Sequence, residues 1–166
     1  MKKRIISIAI IVLVCLVLFY KPLFSGQPLG LDALGHLSKI SYLQSHPFAD
    51  WDMSWYSGTL FLKLYPPLFY YISAILPNPI FAENLLSFLS IHLTSLGIYF
   101  LIRYESRNEK IALFCGLSFL TVLSTSYYWI AVGNLPYFFA LWTVPLALYF
   151  LEQSIAEKKK RYFVFY

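Results

Sequence analysis

The chain of 166 residues is 59% hydrophobic and only 13% charged, with a mean hydropathy of +0.63. A soluble domain is about half apolar and about a quarter charged, so this composition excludes an ordinary soluble protein and indicates an integral membrane protein. The net charge is a modest +5, and much of the basic charge lies in "MKKR" and "EKKKR", which border apolar segments. This placement is typical of membrane topology and argues against nucleic acid as a partner.

The first element is the apolar run over residues 5–20, directly after the basic start of the chain. A charged start and an apolar core are also features of a cleaved signal peptide. The run is long for such a core, however, and no small-residue cleavage motif follows it. We therefore predict an uncleaved first transmembrane helix.

Further apolar segments are found at residues 80–102, 111–132 and 135–151. A span needs about 20 apolar residues, so the last of these is at the short end. Residues 61–76 are also apolar, but they contain Lys63 and a Pro-Pro pair. A span there would place both later basic clusters on the outer side of the membrane, against the positive-inside bias, so we predict a helix lying in the outer interface instead.

The sequence thus predicts an all-α polytopic membrane protein with about four transmembrane helices in a single domain, residues 1–166. We expect it in the cytoplasmic membrane, with a cytoplasmic N-terminus and the loop 21–79, including interfacial helices, on the outer face. The last residues, "YFVFY", are like the start of another span. We therefore expect an N-terminal fragment whose further transmembrane helices lie beyond it.

Two polar residues early in the predicted outer loop, Asp32 and His36, are four apart and would share one face of a helix. Asp32 could be a general base or a metal-binding carboxylate, or only a charge that the helix dipole favours. Its carboxylate could fix the tautomer of His36 or raise its basicity, so we predict Asp32 and His36 as the catalytic residues. The plainer alternative for His36 is a hydrogen-bonded structural role.

A second pair of carboxylates, Asp50 and Asp52, flanks Trp51 in "DWD". In an extended segment these carboxylates point the same way, and they could share a divalent cation such as Mg or Mn. So short a pattern also occurs by chance in solvated loops. Trp51 and Trp55 could stack on a sugar or lie in the aromatic belt at the membrane surface.

Two further residues complete the candidate substrate-binding set. Tyr65 precedes two prolines and is therefore held extended. Asn134 lies in "GNLP", a turn followed by a helix start, where it is also a candidate cap.

Residues 26–72 carry a G-x-D-x-x-x-H pattern ("GLDALGH"), a Trp-rich patch with "WYSGTL", and "YPPLFYY". In this combination the chain resembles the N-terminal module of the GT-C membrane glycosyltransferases, whose relatives include dolichyl-phosphate-mannose protein mannosyltransferases and oligosaccharyltransferase catalytic subunits. In these motifs it is most similar to the membrane proteins labelled "6-pyruvoyl-tetrahydropterin synthase-related", a label that does not imply pterin chemistry. "GNLP" extends the resemblance weakly to about residue 150.

The resemblance implies a polyprenyl-phosphate sugar donor, used on the outer face next to membrane lipid. It also implies that a first-loop carboxylate is the base or a metal ligand. Asp32 matches that position best, and Asp50 and Asp52 match it less well. Lys39 and Lys63 are the loop cations that could meet a donor phosphate. The competing interpretation is a non-enzymatic membrane protein, either a scaffold subunit or part of a lipid-linked transporter.

Overall fold

The computed structural model describes residues 2–28, 30–48, 51–52, 58–60, 62, 66–122, 132–133 and 135–157. Seven helices lie within these ranges: α1 (Lys2–Phe24), α2 (Ala33–Ser45), α3 (Pro67–Ile75), α4 (Pro79–Ser106), α5 (Glu109–Thr121), α6 (Leu135–Ala140) and α7 (Thr143–Glu157). Two short strands, β1 (Trp51–Asp52) and β2 (Thr59–Leu60), pair antiparallel with Trp51 opposite Leu60. The predicted helical fold class is confirmed.

Three stretches of the described chain are long and apolar enough to cross a membrane: Lys2–Lys21, Pro79–Ser106 and Leu135–Ala156. They correspond to the spans predicted at 5–20, 80–102 and 135–151. The span predicted at 111–132 begins in α5, and its residues 123–131 lie outside the described part. The number of spans in the whole chain therefore stays a prediction.

Local sequence signals explain where α4 and α5 begin and how they connect. The Asn78 side chain accepts a hydrogen bond from the backbone N–H of Phe81 at 3.1 Å, which caps α4. In the same way, the Asn108 side chain accepts from Lys110 N at 3.0 Å and caps α5. Between the two helices Arg107 adopts a left-handed backbone conformation with φ +52°. The chain thus reverses within two residues, and α4 and α5 form a tight antiparallel pair.

One apolar core joins α1, α4 and α5 with Phe138 of α6, and a second joins α2, α3, α4 and α6. The first contains Ile11, Cys15, Ile91, Tyr99 and Leu120. The second contains Ile40, Leu43, Phe69, Tyr70, Leu86, Leu135 and Phe139. The second core lies where α1 ends and α4 and α6 begin, so it fixes α2 and α3 to that end of the bundle.

A buried polar row follows α4 at helical spacing and comprises Glu83, Ser87, Ser90 and Thr94. Each hydroxyl donates to the carbonyl four residues earlier in the helix, at 2.6–2.8 Å. Gly97 continues the row and faces α7, since a Cβ there would lie 2.9 Å from Pro145 Cγ. The small side chains therefore allow α7 to pack closely against α4.

Helix α3 falls in the segment that the sequence predicts as an interfacial helix over residues 61–76. Residues 61 and 63–65 lie outside the described part, and the helix itself runs Pro67–Ile75. Nine residues rise only about 14 Å, less than half of a hydrocarbon core of about 30 Å. Its buried face, with Phe69, Tyr70 and Ser73, contributes to the second core. Its depth relative to a membrane stays a prediction.

Candidate functional site

The imidazole of His36 connects three separate parts of the fold. Its Nδ1 lies 2.7 Å from Tyr70 Oη on α3, and its Nε2 lies 2.6 Å from the carbonyl oxygen of Gly133, before α6. A carbonyl oxygen can only accept, so Nε2 carries a proton and Nδ1 of the neutral ring accepts from the Tyr70 hydroxyl. The side chain is only 3% exposed. We call this arrangement of His36, Tyr70 and Gly133 the histidine clamp.

Burial lowers the pKa of His36 below its ordinary value. The hydrogen bond to Gly133 and the charge of Asp32 act in the opposite direction, while the nearby Lys39 charge lowers the pKa further. The ring is therefore neutral at pH 7. The Gly133 carbonyl fixes the tautomer, a role that the sequence suggests for Asp32, and Asp32 acts on the ring as a nearby charge.

Gly133 is at a position that a side chain cannot occupy. Its φ is +82°, and a Cβ there would lie 2.7 Å from the backbone nitrogen of Asp32. The backbone N–H of Asp32 donates to the Val132 carbonyl at 3.4 Å. The turn before α6 thus rests directly on the start of α2, which is why a glycine is required there.

Asp32 is exposed and immediately precedes α2. Its backbone carbonyl accepts from the His36 N–H at 3.1 Å, but its side chain makes no capping hydrogen bond. The carboxylate is thus available at the surface, at a helix N-terminus where negative charge is favourable.

A buried pair of opposite charges continues the same face of α2. Lys39 is 8% exposed and Asp52 on β1 is 1% exposed. Lys39 Nζ donates to the Gly35 carbonyl at 3.2 Å. Burial lowers the pKa of Lys39, whereas the Asp52 and Asp32 carboxylates raise it. His36 and Lys39, three residues apart, lie on one buried face of α2, and Asp32 directly precedes the same helix.

The structure gives a partial account of the other predicted site residues. Trp51 is half exposed and lies against Gly58, and its carbonyl accepts from the Tyr42 hydroxyl at 3.0 Å. Four of the predicted residues lie outside the described residues, namely Asp50, Trp55, Tyr65 and Asn134.

Of the two carboxylates predicted to hold a divalent cation, Asp52 belongs to the described residues and Asp50 does not. No group of three or more histidine, cysteine, aspartate or glutamate residues could hold a metal ion within the described ranges. The carboxylate of Asp52 has the Lys39 ammonium as a nearby countercharge. A Mg or Mn site at Asp50 and Asp52 stays a prediction.

Sequence reasoning missed three parts of this site. From the sequence, Lys39 is predicted only as a cation for a donor phosphate, although its three-residue spacing from His36 places both on the same helix face. Nothing in "YPPLFYY" distinguishes Tyr70 from its neighbours as a histidine partner. Gly133 is visible as a turn glycine in "GNLP", but no local pattern shows that its carbonyl reaches a residue 97 positions earlier.

Comparison with known proteins gives one informative match. No curated protein and no solved structure matches the chain significantly. A family model described as 6-pyruvoyl-tetrahydropterin synthase related domain, a membrane protein, matches residues 62–166. The matched region includes Tyr70 and Gly133, whereas α2 and Asp52 precede it.

The family match and the three apolar helices together assign the protein to a membrane. They also confirm the part of the resemblance that points to this family. Since the matched region covers more than half of the sequence, the chain belongs to the 6-pyruvoyl-tetrahydropterin synthase related family of membrane proteins.

Proposed function

We propose that the chain is the N-terminal module of a membrane glycosyltransferase that uses a polyprenyl-phosphate sugar on the outer face of the cytoplasmic membrane. The observation that carries this proposal is the exposed Asp32 carboxylate at the end of a membrane helix bundle. The histidine clamp fixes the turn beneath it. A carboxylate held in this way can accept a proton from an acceptor hydroxyl.

In the proposed reaction Asp32 accepts the proton as the acceptor oxygen attacks the anomeric carbon of the sugar. The bond between that carbon and the phosphate oxygen breaks, and the polyprenyl phosphate leaves with the electron pair. The developing negative charge requires a cation. The sequence suggests two lysines for this role. Of these, Lys63 is outside the described residues, and Lys39 is buried near Asp52.

A metal ion would supply Lewis-acid stabilisation of the leaving phosphate. Asp50 and Asp52 would hold it, but only Asp52 belongs to the described chain, and its carboxylate already has a protein cation nearby. We therefore derive no step through a metal. His36 acts in this proposal as a positioning residue, because both of its ring nitrogens contact protein groups.

The test is the substitution Asp32→Asn in the full-length protein, purified from its membranes and supplied with polyprenyl-phosphate hexoses. Loss of a general base should lower the release of polyprenyl phosphate by about 100-fold or more, with unchanged membrane insertion and thermal stability. The matched control is Glu105→Gln. Glu105 is an exposed carboxylate near the C-terminal end of α4, at the opposite end of the bundle from Asp32. Turnover at the wild-type rate in Asp32→Asn would refute the assignment.

A non-enzymatic role as a scaffold is the second candidate, and one observation favours it. His36, Lys39 and Asp52 are all buried and interact with protein groups, as in a purely structural polar network. Such a protein would tolerate Asp32→Asn in a growth or assembly assay, and it would release no polyprenyl phosphate even as the wild type. The same experiment thus distinguishes the two candidates.

A further inference from the structure

The end of the bundle opposite Asp32 contains an open cavity of about 1180 Å³. It lies where α1 begins, α4 ends and α5 begins. Its mouth is lined by basic side chains from all three elements and the turn between them: Lys3, Arg4, Arg103, Arg107 and Lys110. Because α4 rises about 40 Å over its 28 residues, and the core beside the clamp contacts α4 near its start while the cavity lies at its end, the two sites are at opposite ends of the bundle. We call it the basic cavity.

Most of this positive charge has no counterion within the described residues. The one acidic residue in the lining is Glu109, which accepts from Arg103 Nε at 2.9 Å and also from the Tyr99 hydroxyl. That ion pair is the only salt bridge among the described residues. Arg4, Arg107 and the two lysines therefore retain their full charge toward a ligand. An arginine fork is well suited to phosphate oxygens.

The lining of the basic cavity becomes apolar further along the helices. Ile6 and Ile10 of α1 and Leu113 of α5 line it, nearer the middle of the bundle than the basic residues at the helix ends. The exposed side of α1 continues this apolar surface toward the middle of the bundle with Leu13 and Val17. A free phosphate would contact the basic residues alone, whereas a phospholipid would contact them through its phosphate and the apolar side chains through an acyl chain.

Two of the arginines that line the cavity, Arg4 and Arg107, each have a further structural feature. The guanidinium of Arg4 lies over the Phe100 ring, 5.3 Å from its centroid, which holds it against α4. Arg107 has the left-handed conformation that helix ends usually reserve for glycine or asparagine. The left-handed conformation costs energy in a residue that has a side chain, so it is retained where the surrounding structure or the function requires it.

We propose that the basic cavity binds the head group of an anionic phospholipid, with one acyl chain along α1 and α5. Basic pockets between membrane helices are suited to such head groups. In the orientation predicted from the positive-inside bias, the cavity faces the anionic cytoplasmic leaflet. This site is independent of the proposed transferase function.

The test is native mass spectrometry of the detergent-purified protein, titrated with dioleoyl-phosphatidylglycerol or dioleoyl-phosphatidylcholine. We expect one tightly bound phosphatidylglycerol and a preference of about tenfold or more over phosphatidylcholine. The double variant Arg4→Gln/Arg107→Gln should lose most of that preference. The matched control is Lys21→Gln, which removes one positive charge at the far end of α1.

Three results would overturn the proposal. The first is equal binding of the two lipids by the wild type. The second is displacement of phosphatidylglycerol by excess inorganic phosphate, which would indicate a simple anion site. The third is unchanged lipid preference in the double variant. If that variant does not fold, Lys3→Gln/Lys110→Gln replaces it, because both lysines are exposed and form no ion pair with a described residue.

Discussion

Substitution of Gly133 by alanine should destabilise the protein more than an equivalent change at another left-handed glycine. The backbone φ of +82° already costs an L-residue about 1–2 kcal/mol. The added Cβ would also lie 2.7 Å from Asp32 N and 3.2 Å from Asp32 Cα. Both of these atoms belong to backbone, so the turn itself has to move.

That movement would weaken two hydrogen bonds, the one from His36 to the Gly133 carbonyl and the one from Asp32 N to the Val132 carbonyl. Each is worth about 0.5–1.5 kcal/mol. We therefore expect Gly133→Ala to lower the free energy of unfolding by about 2–5 kcal/mol in total. The measurement is equilibrium unfolding in mixed micelles, followed by tryptophan fluorescence.

The matched control is Gly26→Ala. Gly26 has a similar φ of +65°, but a Cβ there would meet no atom within 4 Å. It should therefore show only the backbone cost of about 1–2 kcal/mol. Equal losses of stability in the two variants would refute the contact between the turn and α2 as the cause.

Three other changes test the histidine clamp and the α4–α7 packing with the same unfolding assay. Tyr70→Phe removes the hydroxyl that donates to Nδ1 of the buried His36 and should cost about 1–3 kcal/mol; no loss would contradict the bond. Since burial lowers the pKa of His36 below its ordinary 6.5, the unfolded state binds the proton more readily. The stability that depends on a neutral His36 is therefore fully present above about pH 6.5, and it declines as the pH falls toward the pKa of His36 in the folded state. The variant His36→Gln should thus have a flatter stability profile between about pH 7.5 and 5.5, and identical profiles would refute the burial argument. Gly97→Leu inserts a side chain where Pro145 Cγ would be 2.9 Å from its Cβ, and should cost about 1–3 kcal/mol; the smaller Gly97→Ala should cost less.

The sequence allows prediction of those features that depend on local patterns. Apolar length and flanking charge are enough to predict the helices at 5–20 and 80–102, because spanning a membrane depends on a continuous run of residues. The four-residue spacing of Asp32 and His36 suggests a shared helix face, and the structure shows a helix there that begins at Ala33, directly after the exposed Asp32, with His36 on its buried face. Burial of His36 and its partners depends instead on contacts between segments far apart in the chain. For that reason, Tyr70 and Gly133 could not be identified as its partners in advance.

The position of Lys39 near Asp52 shows that contacts between charged residues far apart in the chain are equally hard to predict from local patterns. "DWD" suggests a shared cation, but the pattern contains no information about which helix packs over it. In the structure the nearby cation is a lysine of α2, 13 residues earlier in the chain than Asp52. Tertiary packing, which the local pattern does not contain, therefore decides which cation lies near the described carboxylate.

The distance along the chain between His36 and Gly133 has a consequence for the order of events during synthesis. The two residues are 97 positions apart, so a ribosome adding about 5–20 residues per second needs about 5–20 s to proceed from one to the other. During that interval α2 can pack against α3, but its histidine has no carbonyl partner. The histidine clamp can form only after the turn before α6 has been synthesised and has packed against α2. A formed hydrogen bond between His36 and Gly133 therefore indicates that this later segment has folded into position.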